Sequence, residues 1–299
     1  MLPKAFGEFS RKDDHIYRTE ARLVWGGSGR NLGLVIMLNP GSSKLLNNNI
    51  WKNLVDKKID QADGELLLDD TMKALAIILE KVYPCLDGIL HIRNLFNIRN
   101  SDSADALALY GQHSKGTIKL DATLLHSDFK DLLVAGNGYK NFTSIDNPWI
   151  WLGWTVEDKK FLNLRKREIW DICQNLSKQV HYFAIYSKSK KYKNTIPRIH
   201  AYHPCPQKLT DKIQYKDDMI AQMKEHLPKV YIVAMSDDKC YVLLKWEDSY
   251  ALENNGISPN EAKWEKGVGL VVSVQIKGDY EWFDDPILYD QQKELNLKS

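Results

Sequence analysis

The sequence predicts an α/β fold, a parallel central sheet flanked by helices, followed by a small β-rich C-terminal appendage. Continuous apolar runs alternate with segments of helical period, the pattern of a doubly wound sheet. After about Val230 the helical period ends, and short apolar segments are separated by polar turns. We therefore expect one α/β domain over residues 1–229, with an insert near 141–193, and a β-rich module over residues 230–299.

The individual elements follow from hydrophobic periodicity. Leu32–Leu38 is a continuous apolar run that ends in Asn-Pro-Gly, the profile of a buried parallel strand. Asp69–Val82 has a helical period, with Asp70 near its N-terminus. Ile89–Ile92 and Asp131–Ala135 are predicted to be further strands, because both are short apolar runs that end in polar or glycine-rich turns.

Composition narrows the class of protein. The chain has 299 residues, 27% of them charged, and a formal net charge of +2, which argues against disorder and against a bulk polycation. The four cysteines lie far apart without a Cys-x-x-Cys pair, so a disulfide framework, a zinc ribbon and an iron–sulfur cluster are not indicated. With no signal peptide and no apolar run of about 18 residues, we expect a cytoplasmic protein without a membrane span, a metal or a cofactor.

Unusual polar residues follow the predicted strands. Asn39, Asn94 and Asn137 each come at or just after a strand end, and His203 lies in a later loop. In an open α/β sheet, ligands bind outside the carboxyl ends of the strands. Three amides and an imidazole make a nearly neutral site suited to hydrogen bonding with a planar heterocycle. Taken singly, each residue is also compatible with a turn, a cap or an exposed loop.

Five short stretches lie in the order found in a known bacterial family. They are Arg22-Leu23-Val24-Trp25, Val35-Ile36-Met37-Leu38-Asn39-Pro40, Asp69-Asp70-Thr71, Asn94-Leu95-Phe96 and His203-Pro204. Through them, the segment from Tyr17 to about Pro206 resembles the family catalogued as domain of unknown function 1643. Gly41 departs from the usual Ser of that family.

The same landmarks resemble the uracil-DNA-glycosylase superfamily. Leu38-Asn39-Pro40-Gly41 is similar to the Gly-Ile-Asn-Pro-Gly motif of the mismatch-specific thymine/uracil glycosylases, with Met37 in place of the first Gly. The stretch Asn49-Ile50-Trp51-Lys52-Asn53-Leu54 resembles the Asn-x-Phe-Trp-Lys-x-Leu stretch that follows it there. His203-Pro204-Cys205-Pro206 resembles the His-Pro-Ser-Pro motif of uracil glycosylases.

This second resemblance implies a role for each landmark. Asn39 positions the attacking water, and His203 stabilises the leaving base. Asp70 either caps the helix or, if it faces the site, activates water or reads an exocyclic amine. The residues expected to contact the substrate, with Asn94 reading the base edge and Phe96 or Trp51 stacking on it, are Pro40, Gly41, Trp51, Asn94, Phe96 and Asn137.

Two further segments are open to two interpretations. The lysine-rich run before the His-Pro loop is either a solvated loop or a phosphate clamp. Its basic residues are Lys188, Lys190, Lys191, Lys193 and Arg198. The three tryptophans within residues 149–154 either pack in the core or at an interdomain contact, or form a wedge or pocket wall that replaces a flipped base.

The function predicted from these features is a DNA glycosylase that hydrolyses the N-glycosidic bond of a flipped base. Because the motifs depart from uracil-specific patterns, we expect a modified base, such as a modified cytosine of phage DNA excised in antiviral defence. Two alternatives use the same pocket: a hydrolase of free nucleosides or nucleotides, and a non-catalytic sensor of modified DNA.

Overall fold

A computed structural model of the chain forms two compact units. One comprises Met1–Ile78 and Asp87–Met219, and the other comprises Leu79–Leu86 and Ile220–Ser299. The structure describes residues 2–27, 31–83, 86, 88–127, 149–174, 181–186, 200–205 and 209–226, together with the backbone of the strands between residues 229 and 288.

A seven-stranded sheet is the frame of the first unit, with strand order β4-β1-β2-β5-β3-β6-β7. Its strands are β1 (Lys4–Lys12), β2 (His15–Trp25), β3 (Asn31–Met37), β4 (Gln61–Leu66), β5 (Gly88–Asn94), β6 (Trp149–Gly153) and β7 (His181–Phe183). Strands β5, β3, β6 and β7 pair in parallel, and we call them the parallel half. Strands β4, β1 and β2 pair antiparallel and form the antiparallel half, which joins β5 through β2.

The expected α/β class is confirmed, but the expectation of a wholly parallel sheet is wrong, because the sheet is mixed. The connection between β1 and β2 explains the difference. Lys12 pairs with His15, so only two residues separate the strands, and Asp13 adopts a positive φ of 54°. A two-residue hairpin joins antiparallel strands only, whereas a parallel crossover needs about a dozen residues or more.

In the part of the chain that the structure describes, six helices accompany this sheet. They are α1 (Asn48–Val55), α2 (Asp70–Val82), α3 (Ser103–Ser114), α4 (Ala122–Leu125), α5 (Lys160–Gln174) and α6 (Leu209–His226). Buried residues of α3, α4 and α5 form one apolar cluster with the β3 side chains Leu34 and Ile36. Trp151, whose neighbours Ile150 and Leu152 belong to that cluster, donates a 2.8 Å hydrogen bond to Tyr215 Oη of α6. Since successive strand residues point to opposite faces, helices cover both faces of the parallel half.

Residues 149–153, which the sequence assigns to an insert, form a central strand between β3 and β7. Trp149, Trp151 and Trp154 are fully buried, so the interpretation of these residues as core is confirmed and the wedge interpretation is wrong. Across the sheet the parallel strands lie in the order β5-β3-β6-β7. The first of them along the chain, β3, therefore lies between the second, β5, and the third, β6. The strand order therefore reverses between β3 and β6, the switch point at which doubly wound folds bind ligands.

The described backbone between residues 229 and 288 consists of strands. A four-stranded antiparallel sheet has the order β10-β9-β8-β13, and a separate hairpin joins β11 to β12. The strands are β8 (Lys229–Ser236), β9 (Lys239–Trp246), β10 (Ser249–Glu253), β11 (Ala262–Glu265), β12 (Gly269–Val272) and β13 (Glu281–Leu288). In the part of the chain that the structure describes, no helix has the length and hydropathy of a membrane span.

Candidate active site

The carboxyl ends of three parallel strands are aligned in one row. Met37 of β3 pairs with Asn94 of β5 on one side and with Gly153 of β6 on the other. Neighbouring strands lie about 4.8 Å apart, so Asn94 and Gly153 are roughly 10 Å from each other. Asn39 follows Met37 by two residues. The sheet register therefore places both predicted amides at the carboxyl ends of two adjacent parallel strands, β3 and β5.

Asn39 is 7% exposed and is held by its amide nitrogen. Its Nδ2 donates to the backbone carbonyl of Asn100 at 3.4 Å, a long hydrogen bond. This contact directs the Oδ1 atom of Asn39 away from Asn100. Asn39 Oδ1 makes no hydrogen bond to any residue that the structure describes. The chain turns directly after Pro40. Gly41 has a φ of +64° there, a left-handed conformation that favours glycine. An acceptor held in this way can bind a water molecule.

Two arginines hold the loop that follows Asn39. Arg18, on β2, is fully buried and donates to Ser43 Oγ at 2.5 Å, and Ser43 Oγ in turn donates to Pro40 O at 3.3 Å. Arg99 donates to the carbonyls of Ser43 at 2.8 Å and Ser42 at 2.9 Å. The antiparallel half thus contributes to the geometry of a loop in the parallel half.

Arg18 is an unusual buried cation. Its Nε and Nη2 atoms have no hydrogen-bond partner within the described ranges. Burial lowers its pKa to about 10, and the charge of Asp69 partly offsets that effect. A buried cation with unused donors destabilises a fold, so its retention favours a role in positioning or binding.

The loop of His203 packs against the end of β6. A Cβ atom added at Gly153 would lie 2.7 Å from Cδ and Cγ of Pro204, so the proline ring rests directly on the glycine. Backbone pairing fixes residues 201 and 202, which lead into this loop. Tyr186 bridges Ala201, and Tyr202 N donates to Ile185 O at 2.8 Å. His203 is therefore held beside the row of strand ends that carries Asn39 and Asn94.

The protonation state of His203 follows from its surroundings. Burial lowers its pKa, and the charge of Asp69 partly offsets that effect. The backbone N–H of Cys205 donates to Nδ1 at 3.2 Å, so in the neutral ring the proton lies on Nε2. Within the described residues Nε2–H makes no hydrogen bond. The ring therefore offers a neutral donor for a substrate atom.

The loop after β6 is also held from two sides. Lys166 of α5 is fully buried, and its Nζ donates to the carbonyls of Thr155 at 2.8 Å and Glu157 at 3.0 Å. Burial lowers its pKa to about 8. His200 Nδ1 lies 3.4 Å from Val156 O, which connects this loop to the segment leading to His203. Two loops of the site are thus held together.

Two adjacent aspartates have different surroundings. The side chain of Asp70 is 84% exposed and lies 3.6 Å from Lys73 Nζ. Asp69, rather than Asp70, caps α2: its Oδ1 accepts a 2.8 Å hydrogen bond from Met72 N. The charge of Asp69 also acts on both His203 and Arg18. Asp69 is therefore the carboxylate associated with the site, and the cap expected of Asp70 belongs to its neighbour.

Asn94 is 2% exposed, and its Oδ1 is buried without a hydrogen-bond partner among the described residues. Buried polar atoms are nearly always hydrogen-bonded. The orphaned oxygen is at the carboxyl end of β5, in the row of strand ends, which is consistent with an acceptor reserved for a ligand.

The two aromatic candidates do not meet at the site. Phe96 is fully buried in the core and stacks on Tyr110 with ring centroids 4.6 Å apart. Trp51 packs edge-on against Phe9 at 5.2 Å, and Arg99 covers its ring at 4.8 Å. Phe96 is committed to the core, and Trp51 supports the arginine that holds the Asn39 loop.

Several predicted contact residues lie outside the described residues. They are Asn137, Lys188, Lys190, Lys191, Lys193 and Arg198.

Sequence reasoning missed Arg18, Asp69 and Gly153 as parts of the site. Arg18 and Gly153 depend on strand register, which places them beside residues distant in sequence. Asp69 had a visible signal, because an aspartate directly before a helix is a preferred cap. No family model, curated protein or solved structure matches the chain.

Proposed function

We propose that the protein is a DNA glycosylase that hydrolyses the N-glycosidic bond of a flipped, modified base, with a modified cytosine of phage DNA as the candidate substrate. The observation that supports the proposal is the position of Asn39, Asn94 and the His203 loop at the carboxyl ends of the neighbouring parallel strands β3, β5 and β6. Three polar groups there have no partner among the described residues: Asn39 Oδ1, Asn94 Oδ1 and His203 Nε2–H.

The geometry suits cleavage of a bond between a sugar and a base. When the C1′–N bond breaks, its electron pair leaves with the base and the sugar becomes an oxocarbenium ion. The neutral ring of His203 carries its proton on Nε2, so Nε2 donates a hydrogen bond to the anionic base. Preorganised donors of this kind stabilise charge that develops in the transition state.

Asn39 and Asp69 would act on the sugar side. Asn39 Oδ1 accepts a hydrogen bond from water, whose oxygen then forms the new bond to C1′. The proton released from that water passes to solvent or to the Asp69 carboxylate, whose negative charge also stabilises the cationic sugar. The hydroxyl ends on C1′ and leaves an abasic site in the DNA.

Asn94 suits recognition of the base rather than chemistry. Its Oδ1 is an acceptor held in a buried place, so it matches an exocyclic amine or ring N–H on the edge of the base. An analogue without that donor leaves the oxygen unpaired and binds less tightly.

Mass spectrometry of free bases released from a panel of natural and phage DNAs tests the function. We expect a base from at least one modified DNA and a matching abasic site that alkali cleaves. Release of no base from any DNA, with binding to modified DNA retained, would favour a non-catalytic sensor. Release from free nucleosides alone would favour a nucleoside hydrolase.

The adjacent aspartates provide a matched pair of variants. Asp69→Asn keeps a residue that can cap α2 but removes the charge near His203, so base release should fall about tenfold or more. Asp70→Asn removes an exposed charge and should leave base release unchanged. Equal effects of the two substitutions would remove Asp69 from the mechanism.

A further inference from the structure

Two buried cations lie side by side on α5. Leu162, Ile169 and Cys173 of this helix belong to the apolar cluster that also contains β3 side chains. By the helical period, the positions three and four residues after Leu162 belong to the same buried stripe. Arg165 and Lys166 occupy these positions, Arg165 being 8% exposed and Lys166 fully buried. Buried charges destabilise a fold unless they are well bound, so the contacts of these two side chains bear on their role.

Arg165 holds the chain directly after Asn94. Its Nε donates to the carbonyl of Leu95 at 3.3 Å, and its Nη2 donates to the carbonyl of Ser127 at 3.2 Å. Its third nitrogen, Nη1, donates to Glu168 Oε2 at 2.7 Å, which orients the guanidinium group from within the same helix. Because the guanidinium is a rigid planar fork, these three bonds together fix where the Leu95 carbonyl lies.

The Leu95 residue is held at both of its backbone groups. His126 Nδ1 lies 3.2 Å from the Leu95 oxygen that Arg165 also contacts. The Leu95 N–H donates to the carbonyl of Met37, the last residue of β3, at 2.8 Å. The residue before Leu95 is Asn94, whose buried Oδ1 has no hydrogen-bond partner among the described residues. The direction of that oxygen therefore depends on a backbone segment that Arg165 helps to fix.

Lys166 acts on a different loop. Its Nζ donates to the carbonyls of Thr155 at 2.8 Å and Glu157 at 3.0 Å, in the loop that follows β6. The carbonyl between those two lies 3.4 Å from Nδ1 of His200, which begins the described segment that leads to His203. Adjacent residues of a helix point about 100° apart around its axis, so one helix can reach the loops after two different strands.

We propose that Arg165 and Lys166 are positioning residues for two different groups of the site, Arg165 for Asn94 and Lys166 for His203. The inference rests on the proposed function for the roles of Asn94 and His203, and it adds the residues that hold them. The two cations therefore affect different quantities. Arg165 affects the selection of the base, and Lys166 affects the rate at which the base leaves.

Single-turnover base release from two modified DNAs, one cleaved quickly and one slowly by the wild type, tests this division of roles. In Arg165→Met the Leu95 carbonyl loses an anchor, so the ratio of the two rates should fall about tenfold. Lys166→Met should instead lower both rates by about 10²-fold and leave their ratio unchanged, because a misplaced donor slows the reaction with either base. Arg167→Met, at an exposed position of the same helix, is the matched control and should match the wild type in both quantities.

A conservative variant separates geometry from charge. Arg165→Lys keeps the charge but not the fork of three donor nitrogens, so it should also reduce the ratio of the two rates. If a Met variant fails to fold, Arg165→Lys and Lys166→Gln, which each keep a donor, are measured in its place with the same expectation. Equal changes in the Arg165 and Lys166 variants, or a loss of stability with both rates intact, would overturn the division of roles.

Nuclear magnetic resonance tests the same positioning without a substrate. The side-chain amide signal of Asn94 and the ring signals of His203 are each assigned by their loss in the corresponding Ala variant. Arg165→Met should shift the Asn94 signal, and Lys166→Met should shift the His203 signals. A wild type that releases no base would contradict the glycosylase proposal but not this pattern of shifts. Signals that move together in both variants, or that move in neither, would overturn the positioning roles.

Discussion

The two halves of the seven-stranded sheet use their polar side chains differently. At the carboxyl edge of the parallel half, Asn39, Asn94 and the nearby His203 each keep a group without a partner among the described residues. In the antiparallel half, Arg18 also has two donor atoms without such a partner, but its Nη1 donates to Ser43 in the loop after β3, and Glu20 pairs with Arg93 of β5 at 3.2 Å. The comparison indicates that the parallel half leaves polar groups unpaired at its carboxyl edge, whereas side chains of the antiparallel half hold the loop and the strand beside them.

The largest expected effect on stability is a loss of the free energy of unfolding at acidic pH. Burial lowers the pKa of His91, on β5, to about 4, and it does the same for His126. Between pH 6.5 and 4 the unfolded chain binds more protons than the folded one, so stability is present above this window and is lost as the pH falls through it. For His91, which is 8% exposed, the loss is about 3 kcal/mol.

Thermal unfolding against pH checks this expectation. His91→Gln should flatten the decline between pH 6.5 and 4, whereas His226→Gln, at an exposed position of α6, should leave it unchanged. If His91→Gln has the same pH profile as the wild type, protonation of His91 is not the cause of the acid-induced loss of stability.

The second prediction concerns the contact between β6 and the His203 loop, which a substitution at Gly153 should break. In Gly153→Ala, the new methyl group meets the Pro204 ring at 2.7 Å, and crowding of this kind costs about 1–3 kcal/mol. Base release should also fall, because the His203 loop is displaced.

Gly27→Ala is the control, since a Cβ atom at Gly27 has nothing within 4 Å. Denaturant unfolding and base release should be measured for both variants. Gly153→Ala should lower both stability and base release, and Gly27→Ala should leave both unchanged. Equal behaviour would mean that the contact with Pro204 does not position the loop.

The smallest effect on stability is expected in the antiparallel half. Arg18→Met removes a fully buried cation with two unused donor atoms, and such replacements are often neutral or stabilising. The loop from Pro40 to Ser43 loses one of its anchors, so base release should decrease while the free energy of unfolding stays the same or rises. A parallel loss of stability and activity would assign Arg18 to the fold alone.

Long periodic segments made much of the fold predictable. Leu32–Leu38 and Asp69–Val82 correspond to β3 and α2 within a residue or so at each end, because the buried strand is continuously apolar and the helix has a strong period. Strands β1 and β4 were missed. β4 has the sequence Gln-Ala-Asp-Gly-Glu-Leu, which lacks β-branched and aromatic residues, so pairing with β1 rather than propensity determines it.

The site was predictable only in part. Asn39 and Asn94 were proposed from the sequence because polar residues that end apolar strands stand out there. The support provided by Arg18, and the contact of Gly153 with Pro204, depend on strand register and loop packing. Neither can be read from local composition, because each joins residues far apart along the chain.

Single-turnover base release, measured together with DNA affinity, tests the central claim most directly. Asn39→Ala and His203→Ala should each slow release by about 10²–10³ while leaving affinity nearly intact, because both groups act in the transition state. Asn94→Ala should instead weaken discrimination between bases. Full single-turnover activity of both Asn39→Ala and His203→Ala, on a DNA that the wild type cleaves, would contradict the account.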